Sequence, residues 1–184
     1  MKNILLYLSA FVPMYALILI KQVIELLVGN IKLNFLDIFV IILLMTVIIL
    51  GFIGLKLEMT RKKQTVKVIR VIEKTNTTDE HFLGYFSLFV LFSITFDLSK
   101  ISMLVVFILI IIMIGIVYVK NKLFYINPLL NLLGFNFYDI VYKTDSEQPK
   151  QTTKTFFKGD LLLNKKYYIE VKDENFSFLE KLNK

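Results

Sequence analysis

The residues able to do chemistry are few, and their spacing does not form a reaction centre. One histidine is present, His81, and there are no cysteines. Nucleophilic catalysis needs a base beside its nucleophile, and zinc hydrolysis needs two histidines on one helical face. Neither a Ser-His-Asp set, an HExxH helix nor a glycine-rich phosphate loop occurs in the chain. Without cysteines, disulfides and thiolate metal sites are excluded. His81 stands at the start of an apolar run, where a lone imidazole usually only marks an interface. Asp37 and Asp97 stand at the ends of such runs and read as interfacial anchors rather than ion ligands. Lys21 and Glu25 are spaced i, i+4 and can pair on one helical face. The expectation is a protein that is not an enzyme, with no catalytic residue, no metal and no cofactor.

The elements that hold these residues are mostly apolar. Hydrophobic residues make up 56% of 184 positions, above the roughly 45–50% of a soluble domain, and mean hydropathy is +0.65. The excess lies in four runs, Ile4 to Ile20, Ile38 to Leu55, Phe82 to Phe96 and Ile101 to Val119. A span needs roughly 20 apolar residues at 1.5 Å rise each. The third run is short and reaches that length only with His81 and Asp97 in the interfaces; a three-span reading leaves it out. The first extends towards Val28 if Lys21 snorkels to the headgroups. The fold class expected is membrane all-α: a four-helix transmembrane bundle over residues 1–120 with a small cytoplasmic β-rich module over 121–184.

No Asp, Glu, Lys, Arg or His lies inside these runs. Coupled transporters and voltage sensors place such groups in the bundle to stabilise charge there, so those classes are disfavoured. A hydrophobically gated pore of several copies is not. Small residues at Ser9, Ala10, Gly51, Gly54, Gly84, Ser87, Ser93 and Gly115 permit close helix approach, within one chain before between copies.

Orientation follows from Lys and Arg. The loop over 56–81 carries Lys56, Arg61, Lys62, Lys63, Lys67, Arg70 and Lys74, and eleven lysines follow from Lys120 on. The opposite side holds only Lys21, Lys32 and Lys100. Both ends and the middle loop are therefore expected in the cytoplasm, in the inner membrane of a bacterium. Lys2 and the first run fit a signal peptide in part. No small-x-small cleavage site precedes Lys21, and Pro13 sits in mid-run, so the run reads as a retained, kinked span.

Outside the membrane, Thr65 to Lys74 alternates β-branched and charged residues and reads either as a strand or as a helical extension of the second span. Its basic excess is explained by topology; a patch dedicated to phospholipid or nucleic acid is the sharper reading. Asn127 can cap a short helix, Pro128 fits its first position and Gly134 its left-handed stop. These three form a structural joint between the last span and the C-terminal module. In Phe135 to Thr144, Tyr138, Ile140 and Tyr142 share one face of a strand, and Phe137, Asp139 and Val141 the other. Thr155 to Leu163 and Tyr167 to Lys172 read as further strands joined near Asn164, and Phe176 to Leu182 as a strand or short helix. The rings of this segment exceed what one small sheet can hide on one face. Candidate partner-binding residues are Arg61, Lys62, Lys63, Tyr138 and Tyr142.

Four spans in about 120 residues, the segment Asp79-Glu80-His81-Phe-Leu-Gly-Tyr85, and the run Leu123-Phe-Tyr-Ile-Asn-Pro-Leu-Leu-Asn-Leu-Leu-Gly-Phe-Asn-Phe-Tyr138 resemble small membrane proteins of bacterial antiviral islands. In particular the chain resembles the KwaA family of the Kiwa anti-phage system. The resemblance implies a membrane-embedded detector of phage attack that assembles as a homo-oligomer. It also implies a cytoplasmic DNA-binding effector as partner, similar to KwaB, with no direct nucleic-acid binding by this chain itself. No site residues carry over from the family. The competing readings are a small oligomeric pore and a membrane-anchored ligand sensor.

Overall fold

The computed structural model describes residues 2–28, 34–60, 66–144, 149–173 and 176–182. The chain divides into two units, residues 1–60 with 83–121, and 61–82 with 122–184. The second unit therefore takes residues from the middle loop, whereas the sequence pattern put a boundary near residue 120.

The first unit is helical. Helix α1 runs Lys2–Val28, α2 Phe35–Thr60, α3 Thr78–Thr95 and α4 Ile101–Lys120. Three of these, α1, α2 and α4, are long and apolar enough to cross a membrane; the apolar part of α3, Phe82–Thr95, is shorter. At 1.5 Å per residue α1 and α2 are each about 40 Å long, more than a hydrocarbon core of about 30 Å. Apolar residues run all round α2 and α4, which suits helices bathed in lipid and not an amphipathic surface helix. The protein is thus compatible with a helical membrane bundle.

Helix α1 carries the core of this unit. Leu6, Tyr7, Ala10, Phe11, Val12, Met14, Tyr15 and Ile18 are all buried. Phe11 meets Phe89 of α3 with ring centroids 5.5 Å apart and Tyr118 of α4 at 6.3 Å. The α1–α2 approach is set by glycine. A Cβ on Gly54 would lie 2.5 Å from Leu5 Cβ and 2.9 Å from the Leu5 carbonyl oxygen, and one on Gly51 would lie 2.5 Å from Val12 Cγ2. Gly115 of α4 faces the Tyr7 ring, whereas Gly84 faces open space. Gly51, Gly54 and Gly115 therefore serve packing within the chain, and Gly84 does not.

The second unit is a closed five-stranded barrel in the order β1-β2-β3-β5-β4. The strands are β1 Val66–Asn76, β2 Phe135–Thr144, β3 Gln151–Lys158, β4 Lys166–Asp173 and β5 Phe176–Lys181. Strand β1 pairs antiparallel with both β2 and β4, and β3 runs parallel to β5. This is the connectivity of a Greek-key barrel of the OB type, with α3, α4 and a short helix α5, Pro128–Leu132, inserted in sequence between its first two strands. Of the two readings of the middle-loop segment, the strand is found, over Val66–Asn76, and Phe176–Lys181 likewise forms a strand.

Alternation fills the barrel. Ile69, Val71, Tyr138, Ile140, Phe157, Leu161, Tyr167, Ile169 and Leu179 form the interior, with Tyr142 packed against them. The opposite face of β2, β3 and β5 carries a second ring cluster: Phe137 lies 5.0 Å from Phe156, and Phe156 5.7 Å from Phe178. A barrel has two faces, which is how so many rings are accommodated. The loop after β3 plugs one end. Leu161 is fully buried, the Tyr167 hydroxyl accepts from Leu162 N–H at 2.9 Å, and Asn164 N–H donates to the Val71 carbonyl at 2.8 Å.

Candidate functional site

In the helical unit, polar side chains among the described residues come together at the end where α1 finishes, α2 begins and α3 turns into α4. Gln22 Nε2 donates to Asp37 Oδ1 at 3.2 Å and to Ser99 Oγ at 2.7 Å. The Ser99 hydroxyl donates to the same carboxylate oxygen at 2.8 Å, and Asn34 N–H donates to Asp37 Oδ2 at 3.1 Å. Gln22 and Asp37 are 3% and 4% exposed. Next to Gln22 in the chain, Lys21 Nζ donates to the carbonyls of Ile94 and Phe96, at 3.3 and 3.1 Å. It thereby satisfies acceptors freed at the C-terminus of α3, and it also stands 3.8 Å from Glu25.

Asp97 differs from Asp37. It pairs with Lys100 at 3.0 Å near the surface. The hydrogen bond from Lys100 is the main influence holding the Asp97 carboxyl below the usual carboxylate range. Asp37 is the buried hub of a clamp joining three segments. Sequence reasoning missed Gln22 and Ser99, whose only signal is an amide and a hydroxyl beside apolar runs.

Because the donors around Asp37 have no second acceptor of equal charge in this clamp, Asp37→Ala should be costly. Hydrogen bonds to an ionised group contribute roughly 1.5–3 kcal/mol, so a loss of about 3 kcal/mol is expected. Asp37→Asn keeps one acceptor oxygen and should cost less. Thermal unfolding of the purified variants orders the two; equal loss would mean that the charge-assisted bonds are not what the site contributes.

In the barrel unit the candidate residues separate. Tyr138 is 2% exposed. Its ring lies in the interior and its hydroxyl donates to the Gly159 carbonyl at 3.3 Å. Inward register removes it from any contact surface, which corrects its selection as a partner-binding residue. Tyr142, at the other end of β2, is half-buried, and its hydroxyl donates to Gln151 Oε1 at 2.8 Å. Burial pushes its phenol pKa up. Arg61, Lys62 and Lys63 lie outside the described residues, as does the side chain of His81. Lys74, one of the basic residues of the middle loop, is exposed, and a bulge between Val71 and Glu73 sets it opposite Ile140. Its ammonium donates to the Leu161 carbonyl and lies 5.9 Å from the Tyr138 ring centroid.

The joint has the expected local geometry. The Asn127 side chain accepts from Leu129 N–H at 3.1 Å, and Pro128 opens α5. Gly134 has φ +84°, a conformation that glycine adopts without steric cost. Leu129 and Leu130 are buried and α5 packs on β2. The helix is five residues long, and the chain leaves it two residues before Gly134. Among the described residues no group of His, Cys, Asp and Glu is placed to hold a metal ion.

No curated protein and no solved structure matches the chain. The model of a family described as "Anti-phage protein KwaA" matches residues 2–180. That range takes in the apolar helices, the clamp, the joint and, but for Lys181, the five strands, and the chain belongs to the KwaA anti-phage family.

Proposed function

We propose that this protein is the membrane-embedded sensor and scaffold of an anti-phage defence system, with the barrel as its cytoplasmic docking module. The observation that carries the reading is the closure of β1 into the same barrel as β2 to β5. One folded body cannot lie on both sides of a bilayer. The segment between α2 and α3 and the segment after α4 therefore share a side, and an even number of crossings separates them. If α4 crosses, α3 must cross as well. Its 18 residues reach about 27 Å, close to the hydrocarbon thickness. This supports four spans. The Lys and Arg distribution supports a cytoplasmic barrel, in the inner membrane of a bacterium, with both termini inside.

In this arrangement the clamp of Gln22, Asp37 and Ser99 lies at the outer face, where a disturbance of the envelope arrives first. The barrel lies at the inner face, within reach of a soluble effector. Family membership supports a role in defence. The recruitment of a nucleic-acid-binding effector of the KwaB kind and assembly of several copies are part of the proposal. Tyr142 and the outer face of the barrel are the surface offered to that effector, and the basic residues Arg61, Lys62 and Lys63 are further candidates for the contact. The joint of Asn127, Pro128 and Gly134 is the route by which movement of α4 reaches β2.

Co-purification from the native host tests this. The full-length chain is expected to capture a cytoplasmic partner, and a chain lacking Phe135 to Lys184 to capture none while still inserting. Replacing Pro128 or Gly134 is expected to keep capture but abolish the response to phage. A truncated chain that retains every partner of the full-length protein would overturn the docking role of the barrel.

A further inference from the structure

A groove of 590 Å³ runs between α1 and α4. Ile4, Leu8, Ile111, Ile112, Ile116 and Val119 line its walls. Tyr7 and Gly115 form its floor: the Tyr7 ring fills the space that a side chain at Gly115 would need. The Tyr7 hydroxyl donates to the Ile111 carbonyl, so the one polar side-chain atom of the floor is already engaged. The groove thus offers nothing to a polar ligand along its length. Its end is different, because Lys120 closes it at the last residue of α4.

The depth identifies the occupant. Residues 111 to 120 span about 13–14 Å along the α4 axis, close to half of a hydrocarbon core of about 30 Å. A second transmembrane helix would need a groove running the full thickness. An acyl chain needs one leaflet, with its headgroup where the cation stands. We propose that this groove binds one chain of an anionic phospholipid, with the headgroup phosphate at Lys120. The inference rests on α1 and α4 lying in the bilayer, and holds whichever side the barrel occupies.

The test is native mass spectrometry of the full chain released from nanodiscs of equal phosphatidylglycerol and phosphatidylcholine. Ile112 and Ile116 are 53% and 62% exposed, so substitution there leaves the packed core intact. The wild type is expected to retain phosphatidylglycerol about fivefold over phosphatidylcholine, the effect of one lysine at an anionic surface. Lys120→Glu should abolish the preference, and Ile116→Trp, which fills the groove, should abolish retention itself. Size exclusion confirms that the variants remain folded. Equal retention of both lipids, or unchanged retention by Ile116→Trp, would overturn the proposal. A wild type without lipid whose oligomer dissociates on Ile116→Trp would overturn it as well, making the groove a contact between copies.

Discussion

An Ile69→Asp chain is expected to insert in the membrane at normal abundance and to lose its barrel. Ile69 is fully buried between Tyr167 on β4 and Thr144 on β2. Truncating such a side chain to alanine costs about 2–5 kcal/mol. A carboxylate placed there adds the cost of an unpaired buried charge, several kcal/mol more. The sum is comparable with the whole stability of a small domain, roughly 5–15 kcal/mol. The barrel should therefore unfold, while the helices, whose backbone hydrogen bonds are internal and whose apolar surface is held by lipid, should stay. Limited proteolysis of inverted membrane vesicles reads this out: cleavage near β1 and throughout β2 to β5 in Ile69→Asp, resistance in the wild type and in Lys67→Ala. Cleavage confined to β1 would mean that β2 to β5 fold without it and that the barrel does not depend on the middle loop.

The second large effect is expected at Gly54. Its missing side chain lets the Leu5 backbone approach, and a Cβ would meet both the Leu5 Cβ and the Leu5 carbonyl. A carbonyl held in a helix cannot swing aside as a flexible side chain can, so α1 and α2 must separate. Overpacking costs about 1–3 kcal/mol where neighbours can adjust, and Gly54→Leu should reach or exceed the top of that range. Gly84 faces no atom within 4 Å, so Gly84→Leu should change stability by less than about 0.5 kcal/mol. Thermal unfolding of the two variants in the same detergent compares them directly. A Gly54→Leu chain as stable as Gly84→Leu would mean that the close approach of α1 to α2 is not what holds the bundle.

How much of the fold and its sites is legible in the sequence depends on the distance over which each interaction acts. The joint is readable because capping is local: Asn127, Pro128 and Gly134 act on neighbours a few residues away. The inward set of β2 is readable because alternation survives along it, placing Tyr138, Ile140 and Tyr142 together. Strand β1 is ambiguous for a physical reason. The bulge between Val71 and Glu73 breaks its alternation and sets Lys74 opposite Ile140. Its partners lie more than sixty residues away, beyond two apolar helices. No local pattern announces that a middle loop completes a C-terminal barrel. Tyr138 reads as a surface residue because a single sheet has only one face to bury. Closure gives each strand a covered inner face, and the ring goes there. The clamp is the least legible part, because Gln22, Asp37 and Ser99 come from three separate segments and each looks like an ordinary end of a span.

The central claim is that β1 and β2 to β5 share the cytoplasmic side, so that α3 and α4 cross the bilayer as a pair. Single-cysteine labelling tests it, since the chain has no cysteine of its own to give background. The sites must be accessible in the folded protein: Lys67 on β1 and Lys165 before β4 are exposed, as is Lys100 between α3 and α4, whereas Lys172 is buried. With a membrane-impermeant maleimide on intact spheroplasts, Lys100→Cys is expected to label fully. Lys67→Cys and Lys165→Cys should label only after permeabilisation. Labelling of Lys67→Cys and Lys165→Cys from opposite sides, or protection of Lys100→Cys together with them, would contradict the paired crossing.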